Sequence, residues 1–390
     1  MARAPAIPPL LKDLNQRTVL DTIRAASPIS RAEISRQAGI SKPTVSLALQ
    51  SLLETGLVRE AGARPGQPSY GAVFFEAVPE AALVLGLDLG ARFLRGAICD
   101  LEGEVRARQD VEVAGADAVA VLDTFAGLRE ALVESTGLPA GRIDSAVVGV
   151  PGVTSANGRV RLAGPVPGLE GMDVAGELER RIGVPVAVEN DVNLAAVGER
   201  WRGVARGMDD FAFLSIGTGL GAGLVLRGEL QRGHHGAAGE IDFVRAGLER
   251  DIDPCAAALS AFTERLAGED GAATTLSAPY DARDVFAAAR AGDALARRVV
   301  DEEARRIALH ILPIASVADV ALVVIGGGIG ANGDLLLQPV RALLADWLPY
   351  PPRVEISSLG DGAVLTGALA VGLRAARDNV FVNRHRVAAG

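Results

Sequence analysis

Apolar positions along the first quarter of the chain keep a helical rhythm, and later ones fall into short runs that suit strands. Val19, Leu20 and Ile23 stand at i, i+1 and i+4 and predict a helix from about Gln16 to Ala26, which Pro28 ends. Ser30 followed three residues on by Glu33 is a capping box and opens the short helix "RAEISRQA", closed by Gly39. Ser41 caps a third helix with Pro43 in its first turn, where a missing N–H costs little. Val45, Leu49, Leu52 and Leu53 form its apolar face, and Gly56 stops it. Leu57-Val58 and Val73-Phe74-Phe75 then read as two strands around a Gly/Pro-rich tip.

From about Glu80 strands dominate. "ALVLGLDLG" (82–90), "SAVVGVPG", "VPVAVEND" (184–191), the pair within "DFAFLSIGTGLGAGLVLRGEL", and "ADVALVVIGGGIG" are apolar strands that run into polar or glycine corners. Helical patterns lie over about 117–136 and 284–316, then in "LLLQPVRALLADW" and "GAVLTGALAVGLRAA"; the tail "RDNVFVNRHRVAAG" reads as a frayed basic end. Repeated strand–Gly-loop–helix units predict an α/β body.

Short helix, glycine turn and capped longer helix have the spacing of a helix-turn-helix, and the following hairpin is a wing. With Val45, Leu49 and Leu52 inward, Pro43, Thr44, Leu47 and Ser51 face out and Lys42, Ser46 and Gln50 lie at the margins. Thr44, Ser46 and Gln50 suit base edges, Lys42 a guanine or phosphate, and Leu47 a thymine methyl. Arg59 suits phosphate and Arg64 at the wing tip an adjacent minor groove, and Arg31, Ser41 and Gln67 are further candidate DNA contacts. The bland alternative is an ordinary three-helix bundle with a hairpin.

Charge alters this picture in one respect. The net −9 argues against nucleic acid, but residues 1–78 hold nine Lys/Arg against six Asp/Glu, and the remainder holds 30 against 42. A mildly basic head on an acidic body permits DNA binding without requiring it. Only two cysteines occur, Cys99 and Cys255, too few for a disulfide framework and in keeping with a reducing cytoplasm. No apolar run reaches the roughly 18 residues of a membrane span, and the start lacks signal-peptide character.

Three glycine loops after strands are candidate phosphate cradles, since glycine lets backbone N–H groups approach an anion. They are Asp88–Arg92 (with Gly90), the loop of Gly217, Thr218 and Gly219, and the loop of Gly326, Gly327 and Gly328. Their order, with "VENDVNLAAVGE" and "GELQRGHHGAAGEID" between them, resembles the ROK family of repressors, open reading frames and sugar kinases. The resemblance implies an actin/hexokinase-like (ribonuclease H-like) α/β body, and the helix-turn-helix places the chain with the repressors. It also implies a homodimer or tetramer whose operator binding responds to a sugar or sugar phosphate in the cleft.

By that resemblance Asp191 matches the family's catalytic aspartate, and Asn190 and Glu240 match sugar contacts. Other positions depart. The family's Asp-x-Gly-Gly-Thr reads Asp88-Leu89-Gly90-Ala91-Arg92 here, which puts a guanidinium where phosphate lies; Pro165 stands for a sugar-binding Asn, and Asp242, itself a candidate ligand contact, for a His that binds sugar and zinc. The family's zinc site also needs three cysteines, whereas this region has Cys255 alone, so no zinc and no cofactor are expected. His234 and His235 read as loop residues at the cleft mouth, with His235 a candidate ligand contact. A carboxylate at the place of Asp191 also has a purely structural use, holding its loop.

These readings divide the chain into a winged helix-turn-helix (1–78) and a sensor body (79–390). The body's lobes span about 79–190 plus the C-terminal helix, and about 191–370. The expected function is a cytoplasmic, ligand-modulated repressor, bound as a dimer to a palindromic operator with no membrane contact. The alternatives are an active ATP-dependent sugar kinase with a DNA-binding head, told apart by sugar-dependent ADP release, and a ligand-blind repressor that no sugar stabilises.

Overall fold

The capped helices form, and the first is longer than its apolar rhythm. In a computed structural model, which describes residues 9–62, 72–90, 92–113, 115, 117–154, 159–162, 166–245, 251–270 and 274–388, α1 runs Pro9–Ala26, with Leu11 and Leu14 exposed on its first turns. Those turns bury too little to announce themselves in a sequence pattern. β1 (Ile29–Ser30) leads into α2 (Arg31–Ala38), and α3 spans Lys42–Glu54. β2 (Val58–Ala61) and β3 (Phe74–Ala77) make the wing. The sheet order is β1-β3-β2, so the chain before α2 supplies a strand that two residues of sequence do not betray.

The first lobe contains β4 (Leu83–Leu89), β5 (Phe93–Asp100), β6 (Val105–Glu112), α4 (Ala118–Thr136), β7 (Ile143–Val150), the small pair β8 (Val153–Thr154) and β9 (Val160–Arg161), α5 (Val174–Ile182) and β10 (Val186–Asn190). α6 (Asp191–Arg202) leads to the second lobe. That lobe holds β11 (Phe211–Ile216), β12 (Leu220–Leu226), β13 (Glu229–Gln231), α7 (Ala256–Asp270), α8 (Ala282–Ala291), α9 (Ala294–Ala318), β14 (Leu322–Gly326), the single turn α10 (Gly327–Gly330), α11 (Gly333–Trp347) and β15 (Arg353–Ile356). The predicted helix over 284–316 is two helices, because Gly292 (φ 99°) ends α8 and Asp293 caps α9.

The two five-stranded sheets have one plan. Reading β6-β5-β4-β7-β10 beside β13-β12-β11-β14-β15, the first three strands of each are antiparallel and the last three parallel. Ligand crevices in such sheets lie at the carboxyl ends of the parallel strands, here the ends of β4, β7, β10, β11 and β14.

α12 (Ala363–Ala388) packs on β4, β5 and β7 and crosses α6. The crossing is backbone to backbone: a Cβ on Gly198 would run into Ala363 O, and one on Gly367 into Leu194 O. Through Ala388 the expected frayed tail instead continues α12, and Arg377 donates to Leu101 O at 2.9 and 2.6 Å. One buried apolar cluster joins the head (Leu20, Ile23, Leu57, Phe75) to the body (Ala81, Val84, Leu101, Leu369, Leu373). No helix among the described residues is long and apolar enough to cross a membrane.

Candidate functional site

Two sites emerge, one in the head and one between the lobes. In the head, Ser30 and Glu33 close a reciprocal capping box, with Ser30 N donating to Glu33 Oε2 at 3.1 Å, and Gly39 turns the chain at φ 66°. Thr44 N donates to Ser41 Oγ, whose oxygen also lies 2.8 Å from Thr44 Oγ1. Val45, Ala48, Leu49 and Leu52 are buried, which turns Lys42, Pro43, Leu47 and Gln50 to solvent. Leu47 keeps 59% of its surface exposed, an apolar side chain on an otherwise polar face. Ser46 Oγ donates to Lys42 O at 3.0 Å and Gln50 Nε2 to Glu54 Oε1 at 3.0 Å, so both have local bonds to exchange before meeting a base.

Arg31 is exposed at the start of α2, its guanidinium 5.9 Å from the Phe75 ring centroid. Arg59 pairs with Glu76 on the facing strand at 2.5 Å, and such an exposed pair is weak enough for a phosphate to displace. Arg64 and Gln67 lie outside the described residues. Periodicity missed Lys12, Asn15 and Gln16 of α1, which line a groove against Thr44, Leu47 and Ser51 of α3.

In the body, the strand ends gather Asp88, Asn190 and Asp191. Asn190 caps α6, accepting from Asn193 N at 2.9 Å and donating to Gly152 O at 2.9 Å. Glu189, buried behind it, accepts from Asn190 N and Asn193 Nδ2 and receives Arg232 Nε at 2.6 Å. Glycines bring the second lobe close: a Cβ on Gly223 would meet Val192 O at 2.7 Å, and Gly239, whose carbonyl accepts from Ala222 N at 2.8 Å, leaves no room for one either. Glu240 follows directly.

Burial and neighbouring charge raise three of these carboxylates. Burial pushes Asp191 up to about 6, with Glu240 adding to the rise. Burial raises Glu240 too, helped by Asp242. Asp88 is pushed up to about 7 by burial although the Arg95 guanidinium pulls the other way, and Asp191 adds to the rise.

Arg95 corrects one expectation. It faces Asp88 across the β4–β5 ladder, with Nη1 3.3 Å from Asp88 Oδ2, and it also approaches Asp110 and Asp361 at 3.6 Å. A Cβ on Gly90 would meet Arg95 Nη1 at 3.0 Å, so this guanidinium lies against the first glycine loop. Arg92 instead turns out to Glu112 at 2.8 Å and over Phe93. The other two loops face each other, a Cβ on Gly217 lying 3.6 Å from Gly328 N. Thr218 and Gly219 are exposed, Gly326 ends β14, and Gly327 (φ 81°) and Gly328 begin α10.

Asp242, the other candidate ligand contact, is ion-paired. Arg245 holds it at 2.8 Å and reaches Asp253 at 2.5 Å, while Asp253 Oδ1 accepts from Cys255 N at 2.9 Å. One thiol, two carboxylates and a guanidinium between them do not fit a tetrahedral zinc site of thiolates and imidazole. His235 is exposed, its ring centroid 4.6 Å from that of His234 in an edge-on contact. Pro165 lies outside the described residues. Arg95, Arg232 and Arg245 belong to no sequence motif, because each acts across a strand ladder or loop; only strand register, Asp88 opposite Arg95, would have disclosed the first.

A sequence profile of the ROK family matches residues 84–374, and one for a winged helix-turn-helix DNA-binding domain matches residues 12–59. A xylose repressor of Caldicellulosiruptor bescii is 25% identical over 386 residues, covering 93% of this chain and 96% of the relative. Among solved structures, a ROK family transcriptional regulator, a homologue of the E. coli MLC protein, superposes with a TM-score of 0.77 at 23% identity over 97% of this chain and 100% of its own. A ROK family glucokinase from Streptomyces griseus, solved with glucose and AMPPNP, gives 0.64 at 26% identity over 75% of this chain and 100% of its own.

Proposed function

The chain belongs to the ROK family, and from that premise we propose that it is a DNA-binding transcriptional repressor whose operator affinity is set by a sugar held in the cleft between its lobes. The observation that carries this reading is α3: a helix capped by Ser41, buried on one side and presenting Lys42, Pro43, Thr44, Leu47 and Gln50 on the other, at the front of a ROK body. A helix so exposed enters a major groove by its N-terminal turn, and Arg31 and Arg59 flank it for phosphates. A dimer would set two such helices about 34–36 Å apart on a palindrome. Action on an operator would have the protein work in the cytoplasm. Asn190, Asp191 and Glu240 are the sugar contacts in this proposal, with His235 at the mouth.

Phosphoryl transfer is the second reading, favoured by the carboxylate of Asp191 at the start of α6. Against it stands Arg95, which pairs with Asp88 at the loop where a nucleotide phosphate or its metal would approach. Sugar-dependent ADP release that Asp191→Asn abolishes would overturn the non-enzymatic reading.

Selection of bound sequences from a random duplex pool tests the main proposal. We expect one enriched, two-fold symmetric sequence, bound about tenfold or more weakly by Lys42→Ala/Thr44→Ala. Equal binding by that double variant would show that α3 is not the reading helix.

A further inference from the structure

We infer that α6 is the element that carries the state of the cleft to the DNA-binding head, and that Gly103, Trp201 and Arg202 form its output joint. The inference rests on the repressor reading and adds the route between its two sites. α6 begins in the cleft, with Asn190 as its cap and Asp191 as its first residue, and twelve residues make a rod of roughly 18 Å. Its last two residues grip the turn between β5 and β6. Arg202 Nη2 donates to Gly103 O at 2.8 Å and stacks over Trp201 at 4.2 Å, and a Cβ on Gly103 (φ 88°) would lie 2.8 Å from Trp201 Cζ2.

That turn is where the body meets the head. Leu101 N donates to Pro79 O at 3.0 Å, just past the wing, and Leu101 belongs to the apolar cluster shared with α1 and α3, against which Trp201 also packs. Arg377 of α12 donates twice to Leu101 O, and the neighbouring Asp378 holds Arg17 of α1 at 2.9 Å. Arg24 of α1 is itself held below the usual arginine range, by burial first and then by the adjacent Arg377. Glu102 on the same turn acts in the opposite sense.

α6 is also stiffly held along its length. Glu199, fully buried, accepts from Val204 N at 2.9 Å and from Ser357 Oγ at 2.5 Å, and the glycine crossing with α12 leaves no slack. A displacement of the Asn190–Asp191 end therefore passes to the turn and to α12, and both touch the head. Packed elements of this kind shift as bodies instead of bending.

Hydrogen exchange on the full-length protein tests this without DNA or sugar. Gly103→Ala, which presses on Trp201, should raise exchange by about tenfold both in α1 and in the first turn of α6 (Asp191–Leu194). A rise confined to residues 99–106 would overturn the inference. Arg202→Gln is the milder variant, and here the selected duplex is the probe. In the parent, duplex binding should alter exchange at Asp191–Leu194. The variant should bind the duplex within about threefold of the parent yet lose that distant effect. Retention of the effect in Arg202→Gln, or its absence in the parent, would equally overturn it. Failure to select any duplex would count against the repressor reading, and the DNA-free comparison would still decide the coupling.

Discussion

Asp191 stands as the first residue of a helix with its carboxyl accepting from Val192 N at 2.8 Å, and burial still lifts it to about 6 from an ordinary 3.8. The folded protein thus holds a proton there that the unfolded chain releases. Stability from this group is highest below about pH 4 and declines as pH rises to about 6, then stays level. Asp191→Asn removes the burdened charge and should stabilise the protein by on the order of 1–3 kcal/mol at pH 8 but little at pH 4. Thermal melts at the two pH values check this, and a gain of equal size at both would mean that charge burial is not the cause. At this scale the sequence disclosed the residues that carry motifs, Asp191, Asn190 and Glu240. It concealed those whose partners are fixed by folding: Arg95 acts only because β5 lies in register beside β4, and Arg245 only because the chain returns at Asp253.

Helix ends were the most legible elements, because caps are local chemistry. Ser30 with Glu33, and Ser41 before α3, could be read directly and have the geometry expected of them. The start of α1 at Pro9 and the two-residue β1 could not, since their turns and pairs bury little and depend on contacts distant in sequence. The α6–α12 crossing is the element contact that most constrains the body. Gly367 lies against Leu194 O with no room for a methyl group, so Gly367→Ala should cost about 1–3 kcal/mol by overpacking. Chemical denaturation measures it. An unchanged midpoint would mean that the two helices are free to separate, contrary to the rod role of α6.

For the whole molecule, the repeated strand–loop–helix pattern was enough to indicate an α/β body and the family resemblance implied two lobes, while the common plan of their sheets appears only in the strand order. The mild positive charge of residues 1–78 is likewise a property of the whole, and it makes duplex affinity salt-dependent. Among the described residues, head and body meet through one apolar cluster, the Arg17–Asp378 ion pair and the turn at Leu101–Glu104, so the proposed cleft and DNA sites share this packing. A sugar that changes operator affinity would have its own affinity changed by the operator in the same ratio. The direct test is the affinity of the full-length protein for its selected duplex, measured at fixed salt while unphosphorylated pentoses and hexoses are titrated in. The account predicts that at least one sugar weakens binding by about tenfold or more in the parent, and that Asp191→Asn blunts that effect. A duplex affinity that no sugar changes would contradict it.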